Sequence, residues 1–155
     1  MSAPDSVLER WLAAAAAAYG GLIAEHAVGE RDPFRNPIGH RLRVHMAALA
    51  AEVFGAMDTA AIDAAFAEIM ALRSIQDLSA QQAVGFVFAL RGILHEEVPE
   101  MDRAEADARV DRLGLSAFAQ YLVCRERLAE LKLNEQLRDF GVARLRAARS
   151  RGTLT

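Results

Sequence analysis

Four histidines, one cysteine and a short acidic cluster are the residues of this 155-residue chain whose types could carry chemistry. His26, His40, His45 and His95 include no pair three or four residues apart, so no single helix presents two imidazoles to one metal ion. The Glu-x-x-His pattern that a di-iron bundle requires on two helices occurs nowhere. His45 or His95 could ligate a haem from a helix facing an apolar cavity, but a lone helical histidine is more often a surface or satisfied polar residue. The single cysteine, Cys124, excludes an internal disulfide and a multi-cysteine zinc site. Its setting in Tyr121-Leu122-Val123-Cys124 reads as a small hydrophobe on an apolar helical face. His95-Glu96-Glu97 could supply a general base, yet neighbours on a helix point apart, and a charged helix end before Pro99 explains them. Gly20-Gly21 lacks the spacing and the preceding strand of a phosphate loop. These residues do not argue for an enzyme, and a redox or metal enzyme ranks third among the readings.

Two polar segments stand out instead. Residues 32–40 hold two prolines, Phe34, Asn36 and His40 within nine positions, which is either a stiff corner between helices or a recognition loop. Between two apolar runs, Arg73, Gln76, Gln81 and Gln82 crowd a short turn. Arg73 suits a helix C-terminus and Gln82 a capping role, which leaves Gln76 and Gln81 without a structural account.

The elements that position these residues are marked by their starts. Ser6-Val7-Leu8-Glu9 reads as a capping box for a helix running to about Tyr19, stopped by Gly20-Gly21. Asn36 followed by Pro37 predicts a second helix to about Phe54. Asp58 predicts a third, to about Ile75, with Ile62, Phe66, Ile69 and Met70 on one face. Ser79-Ala80-Gln81-Gln82 is a second capping box, opening a helix to Val98 before Pro99. Within it Ala83–Leu90 is apolar all round, as a central core helix would be, and Gly85 is expected to let a neighbouring helix approach. From Asp102 to about Ala148 only Gly114 and Gly141 interrupt good helix formers. One helix there would be roughly 70 Å long, too long for the body of one domain; the alternative is a break at Gly114 with Ser116 capping a new helix. Heptad order past Leu128 is imperfect, so a regular coiled coil is not expected.

Composition agrees with helices. Alanine occurs 32 times against 19 for valine, isoleucine and threonine together, and alanine loses least on entering a helix. At 53% apolar residues the chain is expected to be a single all-α domain, 1–155, with its core at about 6–148. A net charge of −3 carries no nucleic-acid footprint. Seventeen of eighteen basic residues are arginine, a residue suited to forked contacts at interfaces, though genome composition gives the same skew. The arginines after residue 138 read as a solvated helix end. Met1-Ser2-Ala3-Pro4-Asp5 lacks the basic start of a signal peptide, and no apolar run reaches the roughly 18–20 residues that span a bilayer, so a cytoplasmic protein without membrane contact is expected.

Three motifs then carry a resemblance. Asp-Pro-Phe-x-Asn-Pro-x-Gly-His at 32–40, Arg-x-x-Gln-Asp-x-x-x-x-Gln-Ala-Val-Gly-Phe-Val-Phe-x-Leu at 73–90 and Cys-Arg-Glu-x-Leu-x-Glu-Leu-x-x-Asn-Glu at 124–135 resemble the RsbRD-type N-terminal domain. That family forms the sensory half of RsbT co-antagonists, the stressosome regulators of the general stress response. The resemblance runs from about Leu8 to Leu145. It implies a helical, cofactor-free input domain, related to globins that have lost their haem, which dimerises and passes a signal through its last helix. The family's usual C-terminal anti-sigma-antagonist domain has no counterpart before Thr155, so kinase binding and phosphotransfer are not carried over.

The expected function is therefore a non-enzymatic sensory or regulatory domain, without cofactor or metal, acting as a homodimer with a regulatory protein partner. Ligand or partner binding is expected at Arg73, Gln76, Gln81, Phe34, Asn36 and His40, and the interface at Phe118, Tyr121, Leu128 and Leu131. The alternative is a small adaptor that uses the last helix purely for docking, tied to a sulfur-metabolism gene cluster because free-standing relatives of this type occur beside such genes.

Overall fold

The computed structural model describes residues 2–19, 32–72 and 77–152, and among them all regular structure is helical. The helices are α1 (Ala3–Tyr19), α2 (Pro37–Val53), α3 (Thr59–Met70), α4 (Ala80–Val84), α5 (Phe86–Glu97) and α6 (Arg103–Gly152). The chain is an all-α, single-domain fold with a long C-terminal helix.

Local chemistry sets most starts. The Asn36 side chain accepts from Gly39 N with Pro37 in the first turn, Asp58 accepts from Ala60 N, and Ser79 and Gln82 form a complete reciprocal box. α1 departs from expectation. It begins at Ala3, where Ser2 and Asp5 exchange backbone-to-side-chain bonds, and Ser6 lies inside it with its hydroxyl donating to Glu97 of α5. α3 ends at Met70, short of Ile75, and residues 73–76 lie outside the described part.

The helix expected from Ser79 to Val98 is divided at Gly85, where the turn tightens and Phe88 N donates to Gly85 O. The aromatics of α1 hold this joint. Trp11 Nε1 donates to Phe86 O at 3.0 Å, Tyr19 OH donates to Ala83 O at 2.9 Å, and the Trp11 ring stacks on Phe86 with centroids 5.8 Å apart. Burial pushes the Tyr19 phenol well above its usual pKa. Gly85 itself faces solvent, and a Cβ there would meet its own turn at Gln81 O rather than a neighbouring helix. Nor is Ala83–Leu90 buried all round, since Phe88 and Ala89 are exposed.

α6 is continuous through Gly114, 50 residues and about 75 Å long at 1.5 Å per residue. The alternative, a break at Gly114, is not realised because both of its signals are spent on tertiary contacts. A Cβ on Gly114 would lie 2.6 Å from Phe88 Cζ, so this glycine admits the Phe88 ring, and the Ser116 hydroxyl donates to Asp63 of α3. The first half of α6 packs on α3 and α5, burying Val110, Leu113, Ala117 and Tyr121. Arg109 donates to Val53 O and Gly55 O and Arg112 to Met57 O, covering carbonyls at the end of α2. Burial in the core runs from Val7 to Tyr121, with Cys124 half-buried against it; from 129 to 152 every residue is exposed.

Candidate docking surface

The clusters that looked chemical are occupied by structural partners. His95 Nε2 lies 2.8 Å from Asp107 Oδ1, while Glu96 and Glu97 both accept from Arg10. The Ser6 hydroxyl and then Arg10 hold the Glu97 carboxyl below the usual carboxylate range. Burial raises the Cys124 thiol, only partly offset by Arg127, which is the reverse of an activated nucleophile. Among the described residues no three His, Cys, Asp or Glu side chains are grouped to hold a metal ion, and no helix is long and apolar enough to cross a membrane.

The polar segment at 32–40 is a corner. Asp32 caps its own turn through Phe34 N and Asn36 N, and Asn36, almost fully buried, spends its carboxamide oxygen on Gly39 N at 2.9 Å. Phe34 is 96% exposed and His40 is exposed, and neither is among the residues that line the groove beside Gln81. Arg73 and Gln76 lie outside the described residues.

Gln81 is different. It stands on the rim of an open, largely apolar groove of about 740 Å³ between α4–α5 and α6. Val84, Phe88, Gly114, Leu115 and Phe118 supply its walls, and Asp111, paired with Arg91, closes one end. Phe88 is 47% exposed and Leu115 72% exposed, so large apolar side chains stand in water on a rigid frame. Of the four expected interface residues, Phe118 lines this groove, while Leu128 is half-buried and Leu131 exposed beyond it. Tyr121 belongs to the body: it is buried, and its hydroxyl donates to Leu78 O at 3.1 Å, fixing the turn before α4.

Two contributors escaped the sequence reading. Phe88 fell in the run read there as core and Leu115 beside the possible break at Gly114, and only the packing of α5 across Gly114 brings them together at the surface. Past the body, α6 exposes Leu133, Leu137, Phe140, Val142 and Leu145 as well. No known protein family, curated protein or solved structure matches the chain.

Proposed function

We propose that the protein is a non-enzymatic regulatory module that binds a helical protein segment on the apolar face joining the groove to the free half of α6. One observation carries this reading: a single unbroken helix forms one wall of the groove and then leaves the body with large apolar side chains still in water. Apolar surface of this kind on a folded chain marks an interaction site. The resemblance of residues 32–40, 73–90 and 124–135 to the RsbRD-type N-terminal domain supports the same reading, as a cytoplasmic input domain working as a homodimer with a regulatory partner. As a sensor, the module must bind its partner with different affinity in two states of α6.

The adaptor reading, in which α6 only docks, is favoured by its continuity through Gly114, which leaves no hinge for a relay. Gln81→Ala separates the two. A sensor keeps its fold and loses its response to the partner, whereas an adaptor binds as before.

A photo-crosslinking residue placed at Leu115 or Leu137 tests the reading itself, with exposed Ala48 of α2 as the control. Discrete adducts of defined mass are expected from the first two positions alone. No adduct, or the same smear from all three, would refute it.

A further inference from the structure

Residues 127–152 of α6 carry seven basic and three acidic side chains, net +4, while the rest of the chain carries eleven basic and eighteen acidic, net −7. The free half of the helix is thus charged opposite to the body it leaves. A second copy lying parallel would set one basic half against another, whereas an antiparallel copy sets each basic half against an acidic body.

The helix offers a line of positions that an antiparallel copy can share, with Phe118 and Phe140 as its matched pair. From Asp111 at the end of the groove, steps of four and three residues run through Leu115 and Phe118 to Ala129, and the mirrored steps continue through Phe140 and Ala143 to Ala147. The path covers 36 residues in ten steps, or 3.6 per step, which is the pitch of a straight helix and keeps the stripe on one line without supercoiling. Ala129, small and exposed, sits at its centre.

We propose that the occupant of the groove is the free half of α6 from a second copy of this chain, laid antiparallel about Ala129. This rests on the docking reading above and names its partner. In this register Phe140 enters the groove beside Phe118. Ala143 and Ala147, which with Arg144 and Arg151 form a shallow hollow on the free half, receive the projecting Leu115. Two polar positions fall within the stripe: Arg125 is turned aside, because its guanidinium lies over the Tyr121 ring, 5.8 Å from the centroid, and Gln136 falls opposite Leu122 of the other copy. Each body ends near residue 124 of its own helix and the partner's body begins opposite residue 134, so the two stand clear of each other by about 15 Å. The groove is incomplete without the second copy, and two equivalent grooves are filled at once, as an isologous pair requires.

Single cysteines in a Cys124→Ser background, read by disulfide formation alongside sedimentation equilibrium of the full chain, decide the matter. Asp111→Cys protein mixed with Ala147→Cys protein should cross-link as a mixed pair, while neither links to itself. Phe140→Glu should weaken the dimer at least about tenfold without unfolding the body. A dimer in which Ala147→Cys links to itself would overturn the antiparallel pair. A chain that stays monomeric, but whose Leu115 photo-adduct contains a different protein, would overturn the second copy as occupant and leave the docking reading standing. A monomer with no adduct at all would overturn both.

Discussion

Asn36 and Gly39 show how tightly one residue can constrain another across a single helical turn. A Cβ on Gly39 would lie 2.2 Å from Asn36 Nδ2, so Gly39→Ala must expel the capping carboxamide from its buried seat. The loss should be about 1 kcal/mol, as for deleting a cap, and melting temperature should fall by roughly 2–4 °C. Asn36→Ala should match it in a thermal melt. Two ionisable groups make stability depend on pH. Glu97 has its pKa lowered by Ser6 and Arg10, so its contribution is present above the unfolded carboxylate range and is lost as pH falls through the lowered value. Tyr19 has its pKa raised by burial, so stability is intact below about pH 10 and declines above it as the unfolded chain ionises first. Melting curves of Glu97→Gln should lose part of the acid-side decline and those of Tyr19→Phe part of the alkaline one; unchanged profiles would contradict these assignments. The caps at Asn36, Asp58 and Ser79 were legible in the sequence because both partners lie within three residues. Ser6 misled because its partner, Glu97, is 91 positions away.

The central element is α6. Gly114 in an isolated sequence reads as an interruption, and only the ring of Phe88 from α5 shows why a residue without a side chain is required there. Gly114→Ala should gain helix propensity, up to about 1 kcal/mol, while pushing Phe88 off the groove wall. The melting temperature should therefore hold or rise while dimerisation weakens, a divergence that a purely structural glycine would not produce. The free half of the helix has good helix formers and is exposed at every residue from 129 on, and isolated helices are marginal in water. Its helicity should depend on association. Diluting the protein should lower the circular dichroism signal at 222 nm, while fluorescence of Trp11, the sole tryptophan and fully buried, stays constant. Both signals falling together would show instead that the body itself depends on the dimer. The length of α6 was legible from its composition, but its lack of a break was not, since Gly114 and Ser116 are explained by α5 and α3 and not by their neighbours.

At the scale of the whole molecule, an acidic helical body bears a basic helical arm, with one mostly apolar line running from the groove to the arm. The all-α fold was legible because alanine content and caps are local signals. The docking surface was only half legible: Gln81 and Phe118 drew attention, whereas Phe88 and Leu115 are conspicuous only once neighbouring helices leave them uncovered. The central claim is that the apolar line is covered in solution by a second copy. Amide hydrogen exchange of residues 127–150, followed across a concentration series, tests it most directly. The account predicts slow exchange at high concentration, comparable to the first half of α6, giving way to fast exchange on dilution and in Phe140→Glu at every concentration. Fast exchange in this segment at all concentrations, with the body protected throughout, would contradict it.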